Sequence, residues 1–265
     1  MTGSQTCACA AEEACVCQPW AWAAEETERG ASPKIKGESR MSKIYNIAID
    51  GPAGAGKSTI AKAVSAKLGF VYVDTGAMYR AMALYFLRKG IRPDEEAVIS
   101  EAVKEVGVTI SYENGAQQVI LNGENVSGLI RTEEVSQMAS ASSIYLPVRE
   151  KLVELQKELA RNENVIMDGR DIGTCVLPEA DLKIYLTAST SVRAKRRYDE
   201  LTEKGEPCSL EEIEKEIAER DYRDMHRENS PLKQAEDAVL VDTSGLTIDE
   251  VIGEILRLAA EKGIG

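Results

Sequence analysis

Histidine is almost missing from this chain: His226 is the only one in 265 residues. Multi-histidine metal centres are therefore excluded, and a Ser–His or Cys–His nucleophile would have to use that one side chain. No uncharged apolar run approaches the roughly 18 residues that span a bilayer, so the reading is of a protein outside the membrane. Positive charge is in the minority, with 32 Lys and Arg against 44 Asp and Glu and a formal charge of −12. That balance speaks against a protein that coats nucleic acid. Cysteine is scarce beyond the start of the chain: after Cys7, Cys9, Cys15 and Cys17 only Cys175 and Cys208 follow. A disulfide framework for the main body is thereby excluded, and a reducing cytosol fits. Tryptophan is confined to Trp20 and Trp22.

What is present is an ordinary globular mix, 43% apolar and 29% charged, long enough for one or two domains. Residues 1–40 stand apart. They are rich in Ala and Glu, lack periodicity and end in a Gly/Ser/Pro/Lys stretch, the composition of a disordered extension. Their two C-x-C pairs have the ligands of a four-thiolate metal site, but the surrounding composition favours no such role. Arg29, the first basic side chain, comes too late for a signal peptide. Met41 directly precedes Ser42-Lys43 and the first convincing strand, so the functional protein is expected to begin there, with 1–40 a dispensable or mispredicted start.

From there, short apolar runs alternate with helical patterns. Ile44–Ile49 ends at Asp50, Phe70–Val73 at Asp74, Val165–Met167 at Asp168, Leu182–Leu186 at Thr187 and Ala238–Val241 at Asp242. All five read as buried strands. One helix carries Ile60, Ala63, Val64 and Leu68 on one face and closes at Gly69; the next carries Met78, Met82, Tyr85 and Phe86 and stops at Gly90. The last opens on a capping box, Thr247-x-x-Glu250, and buries Ile248, Val251, Ile252 and Ile255. Such alternation predicts an α/β fold with a parallel sheet, whose ligands gather at the carboxyl ends of the strands. One stretch breaks the pattern. Val108–Tyr112 and Gln117–Leu121 flank Asn114-Gly115, a hairpin signal, and Asn122-Gly123 turns the chain again toward Asn125-Val126. This predicts a small antiparallel meander. Helices at about Asp94–Val106, behind Pro93, and at Val148–Arg161 flank it.

Gly51-Pro52-Ala53-Gly54-Ala55-Gly56-Lys57-Ser58 matches G-x-x-x-x-G-K-[ST] between an expected strand and an expected helix. Glycines let successive N–H groups turn inward on phosphate oxygens, and the helix N-terminus adds partial positive charge. Lys57 would bridge the β- and γ-phosphates and Ser58 would ligate Mg²⁺. Asp168 has the place of a Walker-B carboxylate, acting on the ion directly or through its waters, or else of a simple turn aspartate.

A phosphate loop fits a small-molecule kinase, a hydrolysing switch or a binding module without turnover. The arginines discriminate. Arg80 and Arg170 fall just past strand ends, and Arg149 lies in the first turn of a helix begun by Pro147. Arg220, Arg223 and Arg227 at i, i+3 and i+7 are expected to share a helix face with Asp224 beside them. Arginine clamps phosphate in a bidentate fork, so this gathering points to a second phosphate-bearing ligand facing the first. A GTPase would not need one, and no N-K-x-D guanine motif is present.

Five segments together resemble bacterial cytidylate kinase: Asp50 through Thr59, Asp74-Thr75-Gly76-Ala77-Met78-Tyr79-Arg80, Val126 through Thr132, Asp168-Gly169-Arg170-Asp171-Ile172-Gly173-Thr174, and Glu219 through Asp224. The resemblance runs from about Met41 to the C-terminus. It implies a nucleoside-monophosphate-kinase-like fold: a parallel five-stranded core sheet with helices on both faces, and the meander as part of an enlarged monophosphate domain. The core would comprise 41–93 and 162–265, the inserted region about 94–161, and a lid about 190–208. The implied reaction moves a phosphoryl group from ATP to CMP or dCMP, giving ADP and the diphosphate. Carried over, Gly51 to Thr59 would hold ATP together with Arg196 of the basic lid segment Arg193–Arg197. Lys57 and Arg170 would be catalytic. Arg80 and Arg170 would grip the acceptor phosphate near Thr75, while Ser140, Arg149 and Asp171 would read cytosine. Arg220 and Asp224 would contact the sugar, and Arg227 would approach the phosphates. His226 is expected in solvent. The resemblance also implies a monomer; charge balance, the lack of long apolar runs and cysteine use lead to the expectation of no nucleic-acid partner, no membrane partner and a cytoplasmic location. Related kinases of UMP, AMP or a hydroxylated metabolite stand as the nearest alternatives.

Overall fold

The computed structural model describes residues 43–113 and 115–265. The expected extension with its four cysteines, and Asn114 of the expected hairpin turn, lie outside the described residues. The chain enters a sheet at once: β1 (Asn46–Asp50) leads through the phosphate loop into α1 (Lys57–Leu68), then β2 (Val71–Asp74) and α2 (Thr75–Arg88). Asp74 both ends β2 and caps α2, its side chain accepting from the Ala77 N–H at 2.8 Å. A carboxylate suits that place because the first N–H groups of a helix lack partners and carry partial positive charge.

The helix expected at Asp94–Val106 is shorter, α3 (Glu96–Ala102) closed by one 3-10 turn over Val103–Glu105. The meander follows as β3 (Val108–Glu113), β4 (Ala116–Leu121) and the two-residue β5 (Glu124–Asn125), paired antiparallel in that order. Then come α4 (Glu133–Ser142), capped by Thr132, and α5 (Leu146–Asn162), with Pro147 in its opening turn. The chain returns to the sheet through β6 (Val165–Gly169), a π-type turn over Ile172–Val176, and β7 (Leu182–Thr187). The arginine-bearing helices α6 (Thr190–Glu203) and α7 (Leu210–His226) precede β8 (Val239–Asp242) and α8 (Ile248–Glu261). Both bonds of the Thr247–Glu250 capping box form at the start of α8.

The five core strands are all parallel, in the order β2-β6-β1-β7-β8. Side-chain alternation splits the apolar core in two. Ile47, Ile49, Ile166 and Ile184 point to one face and pack with Ile60 and Val64 of α1 and Ile255 of α8. Ala48, Val73, Val165 and Met167 point to the other, under Met78, Met82 and Phe86 of α2, with Leu152 of α5 and the inward row of the meander joining them. Burial on both faces is why the inner strands read as continuous apolar runs; β8, expected to be buried, is instead an edge strand with Val239 and Leu240 exposed and only Val241 in the core. Phe86, Met78 and Met82 are fully buried, and each contributes on the order of 2 kcal/mol of transfer free energy. The register sets Asp50 opposite Gly169 and Asp74 opposite Asp168. Three carboxylates thus end neighbouring strands on the same edge, each a polar stop to an apolar run. No helix among the described residues is long and apolar enough to cross a membrane.

Candidate active site

The phosphate loop has the geometry its sequence requires. Gly51 has φ +148°, and a Cβ there would stand 1.9 Å from the Leu186 carbonyl oxygen. No other residue fits between loop and sheet. Gly56, at φ +89°, turns the loop into α1. Lys57 is buried and curls back over the loop, its Nζ donating to Pro52 O at 2.7 Å. Burial, and then the charge of Arg170, push its ammonium down to about 7. The loop thus holds a cation poorly neutralised by protein, a place for phosphate. Ser58 Oγ donates to Asp168 Oδ2 at 2.8 Å, and the Tyr72 hydroxyl donates to Asp168 Oδ1 at 2.9 Å. Burial, then the neighbouring Asp74, raises the Asp168 carboxyl above the usual range. This hydroxyl–carboxylate pair is a hard oxygen donor set. It suits Mg²⁺, an ion that keeps few protein ligands and completes its shell with phosphate oxygens and water.

The loop forms one wall of a cavity of about 270 Å³. Ala53, Gly54, Lys57 and Ser58 face into it, while Gly51, Pro52, Ala55 and Gly56 shape the loop from behind. The opposite wall is arginine. Arg80 and Arg131 both reach Asp74 Oδ2, at 3.1 and 3.2 Å. Arg170 Nε donates to Asp224 Oδ2 at 2.9 Å. Burial opposes the charged Asp224, yet Arg170 prevails and its carboxyl lies below the usual range. Arg220 and Arg227 also line the cavity, and burial followed by a neighbouring arginine lowers both guanidinium values. Seven cationic side chains and four carboxylates share this cavity, within a chain of net charge −12. Arg80 Nε, Arg220 Nε and Arg227 Nη2 are buried without a hydrogen-bond partner. Buried donors of that kind call for an anion, because an unpaired buried donor costs about 1–3 kcal/mol.

At the far end Arg149 and Asp171 form a buried ion pair, 3% and 5% exposed, through Nη2 and Oδ2. Arg227 Nη2 stands 3.6 Å from the other carboxylate oxygen. Arg149 Nη1 also donates to Ser143 O at 3.3 Å, and its guanidinium carbon lies 5.8 Å from the centre of the Tyr79 ring. Burial raises the Asp171 carboxyl, against the pull of Arg149 and Arg227. Ser140 lines the same end. Thr75 Oγ1 donates to Asp168 O at 2.7 Å, tying α2 to the end of β6. Asp50 accepts from the N–H groups of Ile172 and Gly173, at 2.8 and 2.7 Å, and so fastens the turn that presents Arg170 and Asp171. Its burial pushes it up to about 6.

Of the residues singled out in the sequence, Lys57, Ser58, Thr75, Arg80, Ser140, Arg149, Asp168, Arg170, Asp171, Arg220, Asp224 and Arg227 all line this one cavity. Gly51, Pro52, Ala55 and Gly56 do not line it but shape the loop behind it. Thr59 and Arg196 also lie off it: Thr59 is exposed in the first turn of α1, and Arg196 turns to Thr243, donating to its carbonyl at 2.8 Å and its hydroxyl at 3.2 Å. Arg223 is exposed, against the expectation of a shared face with Arg220 and Arg227. At 3.6 residues per turn it lies about 60° round α7 from Arg220, while Asp224 and Arg227 stay closer. His226 is exposed as expected and stacks on Tyr222, ring centres 4.0 Å apart. Sequence reasoning assigned no role to Arg131 or Tyr79, and to Arg193 only a place in the lid. The first two sit inside the quoted segments. Arg193 belongs to the expected basic lid yet is 3% exposed. It donates to Ala53 O of the loop at 3.0 Å and to Asp221 Oδ2 at 2.6 Å, so it braces the phosphate loop from behind.

Residues 47–261 match the family model described as cytidylate kinase. The chain is 51% identical to a cytidylate kinase of Caldicellulosiruptor saccharolyticus over 82% of its own length and 96% of the relative's. It is 49% identical to that of Ligilactobacillus salivarius over 84% and 99%. Among solved structures, a shikimate kinase from Acinetobacter baumannii aligns at 17% identity and TM-score 0.43, over 84% of this chain and 96% of its own.

Proposed function

This chain belongs to the cytidylate kinase family, and on that premise we propose that it transfers the γ-phosphoryl group of ATP to CMP or dCMP. The observation that carries the reading is the single cavity with two unlike walls. One is a phosphate loop with its buried lysine, and the other a set of arginines that keep buried donors unpaired. A hydrolase needs only the first wall; a transferase to a phosphate acceptor needs both.

In this reading Lys57 and the loop N–H groups hold the donor phosphates. Ser58, with Asp168 directly or through water, holds Mg²⁺, which when bound neutralises charge on the donor phosphates. Arg80 and Arg170 grip the acceptor phosphate, and Arg220, Asp224 and Arg227 orient the sugar and the neighbouring charge. Asp171 accepts from the exocyclic amine of cytosine while Arg149 and Ser140 donate to its ring acceptors. The acceptor oxygen is already anionic near neutral pH, so alignment and charge stabilisation suffice and no general base is assigned. Arg170, shared between the walls, turns from Asp224 toward the transferring phosphoryl group. Segment 190–208 closes over ATP and excludes water. Arg196 meets the nucleotide in that closure. We place the enzyme in the cytoplasm as a monomer; light scattering at 28.9 kDa checks the second point, and a dimer mass overturns it.

The test follows ADP formation by the full chain with Mg-ATP and CMP, dCMP, UMP, AMP or no acceptor. Strong ADP formation with CMP or dCMP alone supports the assignment. Equal ADP without acceptor makes the protein an ATPase. Selective use of UMP or AMP keeps the kinase and removes the cytosine-reading roles of Ser140, Arg149 and Asp171.

A further inference from the structure

The inserted meander reaches the acceptor wall through one polar side chain whose register is unusual. Val119 and Leu121 of β4 point into the core at 2% and 3% exposure. Gln117 continues the same inward row, two residues earlier, where alternation calls for another apolar residue. Its amide is bidentate. Gln117 Oε1 accepts from the Asp74 N–H at 2.7 Å, and its Nε2 donates to the Asp74 carbonyl at 3.3 Å. β2 is the edge of the parallel sheet, so its outward backbone groups have no strand partner. Gln117 supplies at Asp74 the donor and acceptor that a neighbouring strand would provide. Two residues back along the same edge, the Tyr112 hydroxyl donates to Tyr72 O at 2.9 Å.

The peptide gripped in this way is the one that carries the acceptor wall. Asp74 Oδ1 holds the start of α2 through Ala77 N at 2.8 Å. Asp74 Oδ2 holds both Arg80 and Arg131, and Arg131 itself comes from the inserted region. On its outer side Asp74 borders a second cavity, of about 600 Å³, shared with Gln117, Tyr112 and Arg131. On that side the Asp74 main chain meets the cavity and the Gln117 amide, while Val73 on the inner side packs into the core.

We propose that Gln117 is a positioning residue for phosphoryl transfer: by clamping the main chain of Asp74 it sets Arg80 and Arg131 for the acceptor phosphate. The assignment rests on the kinase reading above. It makes the inserted meander part of acceptor recognition, not only a cover over α2. The amide both accepts and donates here; an ionised carboxylate accepts alone and a thioether does neither usefully.

The experiment compares wild type with Gln117→Met, Gln117→Glu, Arg131→Met and the double variant Gln117→Met/Arg131→Met, all as full chains. Each substrate is varied in turn, and Tm is measured alongside. A displacement of ångström scale at a positioning group is worth one to two orders of magnitude. Gln117→Met is therefore expected to raise KM for CMP about tenfold with KM for ATP within about twofold. Gln117→Glu, which keeps the 2.7 Å bond, shows the same acceptor-specific change to a smaller degree and decides the matter if Gln117→Met does not fold. In the double variant the two effects fall short of their product by at least about threefold, because they act through one carboxylate. A lower Tm with unchanged KM for CMP, an equal rise for both substrates, or full additivity overturns the role of Gln117. Wild type separates the two claims: if it forms no ADP in response to CMP or dCMP, the kinase reading falls first.

Discussion

Replacing Arg149 by methionine removes the cation from the most deeply buried ion pair of the site. Asp171 is 5% exposed, and after the change only Arg227, at 3.6 Å, remains within ion-pair distance of its carboxylate, with Arg170 acting from farther away. Breaking a buried pair on one side costs about 3–5 kcal/mol. Proton linkage gives an independent bound. The stranded carboxylate can escape by binding a proton, which at pH 7 costs 1.36 kcal/mol for each unit above the unfolded aspartate value near 3.9, or about 4 kcal/mol. The sign follows. Losing Arg149 raises the folded-state value further above the unfolded one, so stability in the variant is retained at low pH and lost as pH rises. The deficit against wild type should therefore shrink as pH falls from 7 to 5. For a domain of this size the pH 7 deficit corresponds to a Tm lower by about 8–16 °C. Thermal unfolding of both proteins at pH 5, 6 and 7 measures it. A companion variant, Arg149→Met/Asp171→Leu, removes both charges and should recover most of the lost stability while failing to use CMP. A deficit under about 1 kcal/mol, or one that does not vary with pH, refutes the reasoning.

Three further outcomes are expected. Arg170→Met should lower kcat by at least about a hundredfold with ATP affinity preserved, since its contribution is to charge that develops in transfer; steady-state kinetics with nucleotide titration checks this, and an unchanged kcat removes Arg170 from the reaction. Gly51→Ala places a methyl group 1.9 Å from Leu186 O at φ +148°, and the displaced loop should bind no ATP by calorimetry even where circular dichroism shows folded protein. Arg193→Met leaves Asp221 buried without its cation and frees Ala53 O, so it should raise KM for ATP about tenfold or more and leave KM for CMP unaffected; a CMP-specific effect contradicts the bracing role.

Much of this molecule is local, and local features are legible in a sequence. The inner strands β1, β6 and β7 are buried on both faces, so their apolar runs announce them, and the polar residues that stop the runs, Asp50, Asp168 and Thr187, mark the ligand-binding edge; β8 reads as a similar run although Val239 and Leu240 are exposed. The capping box and the phosphate loop are short-range patterns with their own hydrogen bonds. The boundary errors are small and have causes: the helix expected from Asp94 to Val106 ends early because its last turn tightens to 3-10 geometry. The acceptor wall was legible as a gathering of arginines, but their individual roles came only from the family resemblance, and Arg131 was missed even inside a quoted segment. Arginine has the same letter whether it is solvated, as Arg223 is, or buried against a carboxylate, as Arg193 is.

The amino-acid sequence by itself determined that five apolar runs alternate with helices, that a phosphate loop joins the first strand to the first helix, and that the chain carries a second set of phosphate-seeking arginines. The tertiary structure alone decided which partners those arginines take. Arg149 meets Asp171 across 22 residues, Arg170 meets Asp224 across 54, and Gln117 meets Asp74 across 43. Periodicity reports which way a side chain faces on its own element, over a few residues. Which carboxylate or peptide stands opposite depends on the strand order β2-β6-β1-β7-β8, which brings distant chain segments to one edge, and on burial, which makes their pairing obligatory.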